Sequence, residues 1–439
     1  MNKEQITSKL QELPIEELSF SSRFVIRNRH LISGFAFIAG FFNMLVQGVN
    51  TVENWAGQIY LLTGHAVSAQ ALQGKLQFRH KKFASLILGV VLRKQILEDK
   101  LVKLSSQLLT PFGRVFLEDS TCVTLPKSLF DFFPGTVNQT GASSSARIQL
   151  RLELKSGDYS YIDLQSYRDN DQKFSSHIFS VLRAGDLVIR DLGYWALWVF
   201  NGIIQRKAFF LSRYFYGTNV YDPQTGKQFD LFGKLRSLRR QGQSVLDIHL
   251  LVGKKDQVPM RLVAIKVPPP IEQKRKRKMR KDKLAKRSDD YLEMLAWSIY
   301  VTNVEDQIWT PDQILEVYGY RWRIEIIFKC WKSKFDLAKL FDKKQTLCPA
   351  RVYITFYLLL AWLTLFFVRW YNFFLYHVFQ AKGKILSLFK FADFMKTHAL
   401  KLEASQDPME FIIYLARYCS QNKRKNKSSL ELIYMLKLS

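Results

Sequence analysis

The chain has few cysteines and few acidic residues for its length. Four cysteines in 439 residues (Cys122, Cys330, Cys348 and Cys419) make no CxxC pair and no metal-ligand spacing, which argues against structural zinc and against a disulfide framework. The seven histidines are scattered and supply no ligand set. Asp and Glu number 38 against 65 Lys and Arg, a formal net charge of +27. A surplus of that size excludes an acidic, self-solvating chain and points to a polyanionic partner, either nucleic acid or an anionic membrane surface. The opening segment, MNKEQITSKLQELPIEELSF, is charged and amphipathic and lacks the apolar core of a signal peptide. Long apolar runs are also scarce. The stretch from Leu31 to Thr51 is diluted by Gly34, Gly40, Gln47, Gly48 and Asn50. The stretch from Val352 to Val368 stops at Arg369, at the short limit for crossing a bilayer. Both read as buried helices of a large folded protein, so no membrane is expected.

What remains is a globular balance of 48% hydrophobic and 23% charged residues, in a chain long enough for two or three domains. Up to about residue 105 the apolar spacing is helical, through Phe35, Ile38, Phe41, Phe42 and Leu45 and again through Phe83, Ile87, Val90 and Val91. Between them, AVSAQALQGKLQFRHKK fits a DNA-reading helical unit and equally fits an amphipathic helix with a lysine-rich face. From Val115 the texture changes. RVFLEDSTCVTL opens on a short apolar run. RIQLRLELKSGDYSYIDL alternates apolar and polar residues around the Ser156-Gly157-Asp158 turn and reads as a hairpin. DLVIRDLGYW places Asp191 after a short strand. Strand, hairpin, strand, helix is the order of an α/β domain with a mixed sheet. Residues 216–270 read as strands and turns. They lead into a basic run from Lys274 to Arg287, which contains Lys274, Arg275, Lys276, Arg277 and Lys278. Such runs are commonly solvated loops; the dominance of one sign here favours contact with phosphates. LAWSIYVTNV then returns to a buried strand.

TPDQILEVYGYRWRIEIIFKCWK begins with Thr310 as N-cap, Pro311 at the first helical position and Gln313 completing a capping box. The pattern predicts one unbroken helix from about Pro311 to Lys332. At ~100° per residue, Tyr318, Arg321, Glu325 and Lys332 then share a stripe about 60° wide. Ile324, Ile327, Phe328 and Trp331 lie on the adjoining side, facing a sheet. Charged stripes are usually solvated; this one borders an apolar face.

Those four residues reproduce the Y-x2-R-x3-E-x6-K signature and so resemble the DDE transposases of bacterial insertion sequences. Within these the match is to the insertion-sequence-four superfamily, which includes the Tn-five-like enzymes. Asp119 in LEDST resembles the family's first acid, and Asp191 in IRDLGYW resembles its D-x-G-[YF] second acid. The resemblance covers roughly residues 110–370. It implies a fold, an α/β RNase H-like (retroviral-integrase-like) core with an inserted all-β subdomain, flanked by helical N- and C-terminal regions. The corresponding segments are 1–105 (DNA-end binding), 106–215 and 290–385 (the core), 216–289 (insertion with the basic run) and 386–439 (helical, with the basic stretch NKRKNKSS). It also implies a chemistry. Asp119, Asp191 and Glu325 would be the catalytic metal ligands for two Mg²⁺ ions roughly 4 Å apart, with Mn²⁺ as a substitute. Tyr318, Arg321 and Lys332 would contact DNA. Trp297 resembles the tryptophan that stacks on a flipped base beside the cut, and is equally a core aromatic. Glu118, Asp186, Asp289 and Asp290 are not expected as ligands, Glu118 because it should face the opposite side of the sheet from Asp119.

The implied function is cut-and-paste transposition. The enzyme binds terminal inverted repeats, cleaves the strands and joins them to target DNA, as a homodimer on double-stranded DNA in a bacterial cytoplasm. Two alternatives stay open. A domesticated or inactive relative would bind DNA without Mg²⁺-dependent cleavage, and a membrane protein with basic loops would need detergent.

Overall fold

The computed structural model describes residues 3–26, 31–47, 51–98, 107–138, 141–169, 171–280, 288–335, 337, 348–405 and 407–422. Residues 281–287 of the basic run, and the NKRKNKSS stretch from Lys423 onward, lie outside the described residues. The chain divides into two compact units. One comprises residues 1–104, 120–168 and 325–434; the other comprises 105–119, 169–324 and 435–439.

The first unit is mostly helical. Its N-terminal part carries the helices Gly34–Gln47, Val52–Thr63, Ala69–Gln73 and Phe78–Glu98. Thr51 and Ser68 cap the second and third by accepting from Asn54 N and Ala71 N, which satisfies amides that would otherwise lack partners. Phe78–Glu98 packs against Pro349–Trp362. That second helix does not stop at Arg369. Its hydrogen bonding loosens into a π-helix over Leu363–Val368 and continues as Arg369–Lys382. The whole 34-residue helix is long and apolar enough to cross a membrane, yet 83% of its most apolar window is buried inside the protein. Against these helices lies an antiparallel meander of β2 (Pro134–Asn138), β3 (Gly141–Glu153) and β4 (Tyr159–Ser166). The β3–β4 turn includes Gly157 at φ +80°, a left-handed conformation that glycine adopts without strain. Ile148, Leu150 and Leu152 are buried as the alternation requires, but so are Gln149 and Arg151; β3 is covered on both faces.

The second unit is a sheet with helices on both sides. β1 (Val115–Leu125), β5 (Leu187–Arg190) and β6 (Phe209–Arg213) run parallel. β10 (Trp297–Thr302), β9 (Val258–Lys266), β8 (Val245–Val252) and β7 (Val220–Tyr221) continue the sheet antiparallel. The described residues of 216–289 therefore extend the core sheet instead of forming a separate all-β layer, and they include the helices Leu231–Arg240 and Pro269–Arg280. One sheet face, with Phe116, Val188, Phe210, Leu262 and Ile299, packs on the helices Leu197–Gln205 and Leu231–Arg240. The helix Pro311–Gly319 lies against β6 and β9.

That helix is shorter than the sequence predicts. The Thr310–Gln313 capping box forms, but the helix ends at Gly319 and a second one starts at Trp322. Between them Tyr320, Arg321, Arg323 and Ile324 bond to carbonyls three residues back. The tightening has two causes. Glycine at 319 weakens the helix, and Tyr320 is fully buried with its hydroxyl donating to Glu316 Oε1 at 2.8 Å.

Candidate active site

Glu118 and Arg190 are the last in-register partners of β1 and β5, so Asp119 and Asp191 follow side by side on adjacent parallel strands, ~4.8 Å apart at their backbones. Alternation sends Glu118 and Arg190 to the opposite face, where they form a fully buried ion pair of 2.6 Å. Arg190 also donates to Ser175 Oγ and Ser175 O, both at 2.8 Å. Asp119 is not at the end of its strand, because β1 continues to Leu125; Thr121, Val123 and Thr124 favour extended backbone. Asp191 is at such an end, starting the short turn Leu192–Tyr194. A β-carbon on Gly193 would meet Asp171 Oδ2 at 2.8 Å, so a side chain there would have to displace that carboxylate.

The tightened turn at 320–324 sets the next two groups. In a three-residue turn, side chains three apart eclipse, and the Arg321 guanidinium lies 5.8 Å from the Tyr318 ring centre. Arg321 Nη1 donates to Asp119 Oδ2 at 2.9 Å, with both side chains mostly buried. The Tyr318 hydroxyl points to Asp191 Oδ1 at 3.4 Å. Burial, and then the charge of Asp191, hold this phenol well above its usual range, so it acts as a neutral donor. Asp119, Asp191, Tyr318 and Arg321 are thus one cluster within the second unit.

The other two signature residues belong to the first unit, on the helix Trp322–Lys334. Glu325 is partly buried there. Lys332 Nζ donates to Thr121 Oγ1 at 2.6 Å, and burial lowers its pKa. On the same helix, burial pushes the Cys330 thiol up to about 12, which rules it out as a nucleophile at neutral pH. Among the described residues no group of three or more His, Cys, Asp or Glu side chains is gathered to hold a metal ion. The two aspartates supply the hard carboxylate oxygens that Mg²⁺ or Mn²⁺ takes, and the donor set therefore fits such an ion.

The remaining sequence candidates sit elsewhere. Trp297 is 1% exposed and its Nε1 donates to Glu293 Oε1 at 2.8 Å; a ring enclosed in the sheet core has no open face for a base. Trp322, which the sequence did not single out, is 53% exposed next to Arg321. The basic run begins as a helix, not a loop. Lys274, Arg277 and Lys278 are exposed, whereas Lys276 pairs with Glu272 at 2.6 Å. Arg275 turns inward to Leu295 O, Trp297 O and Ser298 Oγ. Asp186 is buried against Arg114, and Asp290 pairs with Arg236; both are structural acids.

The family described as "Transposase DDE domain" matches residues 110–365. The transposase for insertion sequence element IS231F of Bacillus thuringiensis subsp. israelensis is 27% identical over 94% of this chain and 89% of its own length. The transposase for insertion sequence element IS1151 of Clostridium perfringens is 30% identical over 55% of this chain and 54% of its own. Among solved structures, a piggyBac transposase synaptic complex with hairpin DNA aligns with 96% of this chain and 84% of that one, at 11% identity and a TM-score of 0.40, too slight a likeness to argue from.

Proposed function

The chain belongs to the DDE-domain transposases, and from that premise we propose that it is the metal-dependent nuclease and strand transferase of an insertion sequence. In this reading it binds terminal inverted repeats as a homodimer in the bacterial cytoplasm, cleaves the DNA and joins the ends to a target. The four-point helix signature supports a place in the insertion-sequence-four superfamily. The parallel run β1–β5–β6 suits an RNase H-like core. The net charge of +27 suits a partner carrying a phosphate every few ångströms.

The observation that carries the reading is the in-register pair Asp119 and Asp191, each engaged by a group of the signature, Arg321 and Tyr318. With Glu325 as third ligand, these carboxylates would hold Mg²⁺ or Mn²⁺. Divalent ions at such a site supply activation of the attacking oxygen and stabilisation of the leaving one. The chain's own groups then do the positioning. Arg321 and Lys332 offer cations to phosphate oxygens, and the neutral Tyr318 hydroxyl donates beside them.

The test is strand cleavage of duplex DNA with and without Mg²⁺. Wild-type protein should nick only with the metal, and Asp119→Asn, Asp191→Asn and Glu325→Gln should each bind DNA but fail to cleave. Cleavage at the wild-type rate in any one of them removes that residue from the site. Metal-independent cleavage, or none by the wild type, overturns the reading.

A further inference from the structure

Two phenylalanines of the first unit stand on its surface and against each other. Phe78 opens the helix Phe78–Glu98 and is 51% exposed; Phe132, in the turn between β1 and β2, is 56% exposed. Their ring centres lie 6.2 Å apart. Single exposed apolar side chains are ordinary, but these two come from separate parts of the chain and both are firmly held. The turn is pinned by the fully buried Phe133. The N–H groups of Phe132 and Phe133 both donate to Leu129 O, at 3.1 and 2.8 Å, and the Phe133 carbonyl accepts from Ser145 N and Ser144 Oγ. The neighbours therefore divide, Phe133 to the core and Phe132 to solvent. Behind them Tyr353, on the helix Pro349–Trp362, lies 6.5 Å from Phe78 and 5.3 Å from Phe133. Lys81 sets its ammonium 3.5 Å from the Tyr353 ring centre. The four rings form one ledge, and its outer two members are open.

Cations border this ledge. Phe78 and Lys82 are four residues apart on one helix and share a face, with Arg79 beside them. Lys127 begins the turn that leads to Phe132. Arg79, Lys82 and Lys127 are exposed, and among the described residues none of them, nor Lys81, forms an ion pair. Asp131, next to Phe132 in sequence, offsets at most one of these four charges. Open rings bordered by uncompensated positive charge suit a partner with flat apolar faces and an anionic backbone. Nucleic acid with unpaired bases is such a partner: aromatic rings take the base faces, and lysine and arginine follow the phosphates. The interior of a duplex does not fit, because its base faces already cover one another.

We propose that the Phe78–Phe132 ledge holds unpaired nucleotides of a DNA strand at the end of a bound duplex. The proposal rests on the transposase reading and adds to it a site for single-stranded DNA. Stacking of this kind tolerates any sequence, since every base has a face to offer.

The test compares binding of the full-length protein to two labelled mixed-sequence duplexes, one blunt and one carrying a short single-stranded overhang. The wild type should hold the overhang duplex about tenfold more tightly for each base stacked. Phe78→Ala with Phe132→Ala should lose that advantage while keeping blunt-duplex affinity and melting temperature, and Phe132→Trp should keep it. Equal wild-type affinity for the two duplexes overturns the ledge, and needs no variant to show it. So does an advantage that survives in the double-alanine variant, or an equal loss on both duplexes, which marks a duplex surface. Self-association of the wild type that the double-alanine variant abolishes also overturns it, since a second copy would then cover the rings. If the wild type binds blunt duplex and cleaves with Mg²⁺ but gains nothing from an overhang, the ledge alone falls; if it neither binds nor cleaves, the transposase reading falls with it.

Discussion

Arg321 Nη1 donates to Asp119 Oδ2 across 2.9 Å, so in the protein alone the first carboxylate of the candidate centre is neutralised by a residue of the helix signature. A divalent cation and this guanidinium compete for the same charge. Arg321→Ala should therefore bind Mn²⁺ about fivefold more tightly without DNA, the equivalent of ~1 kcal/mol for a partly screened pair. Its cleavage should nevertheless fall, because the proposed phosphate contact is removed. Calorimetric titration with Mn²⁺ reads the first effect and a cleavage assay the second. Weaker Mn²⁺ binding in Arg321→Ala would mean that the arginine organises the carboxylate instead of competing for it.

One layer below, the Glu118–Arg190 pair is fully buried and supports both aspartates from the opposite face. Glu118→Gln leaves Arg190 bonded to Ser175 but without a counter-charge, and should cost about 3–5 kcal/mol. Lys9→Ala, which removes an exposed pair with Glu12, should change stability by less than ~1 kcal/mol. Urea denaturation of the two variants side by side checks the contrast. Similar midpoints would show that the buried pair contributes no more than a surface one.

The two aspartates were legible because a carboxylate after an apolar strand run is a local pattern, and strand alternation alone separated Glu118 from Asp119. The helix break at 320–321 was not legible. The capping box marks where a helix begins, but its end here depends on Tyr320 finding a buried site and on Glu316 accepting its hydroxyl, which are tertiary facts. Trp297 showed the opposite problem. Its sequence position fits a base-stacking residue and a core residue equally, and only the Glu293 contact and its burial distinguish them.

His80 gives a pH test within the first unit. Its Nδ1 lies 2.9 Å from Lys75 O and its ring meets Phe24 edge-on at 5.1 Å. Burial, with nearby Lys75 and Arg79, lowers its pKa to about 4 from an ordinary 6.5. Below pH 6.5 the unfolded chain takes up a proton at this residue that the folded chain refuses until about pH 4. Stability is therefore lost as pH falls through that window and is complete above it. His80→Asn keeps a donor at the Nδ1 position and removes the titration. Its melting temperature should fall less steeply than the wild type's over the same window; parallel curves would assign the acid loss to carboxylates.

The basic helix Pro269–Arg280 carries an exposed set of cations and an internally bonded set on the same element. Lys274, Arg277 and Lys278 are exposed, whereas Lys276 is tied to Glu272 and Arg275 to β10. If the exposed set follows the DNA backbone, Lys274→Gln, Arg277→Gln and Lys278→Gln together should weaken binding to specific and mixed-sequence duplexes alike. Phosphates are the same in both, so the loss should not depend on sequence. The salt slope should fall by up to roughly three units, about 0.9 for each phosphate contact released. The melting temperature should not move, since none of the three side chains is buried. Arg275→Gln should behave differently, lowering the melting temperature because it removes three bonds that fix the helix to the sheet. Binding titrations over a range of salt concentrations, run with melting curves, separate the two sets. An unchanged slope in the triple variant would make the exposed face a solvated one, and a loss confined to the specific duplex would assign it to base readout.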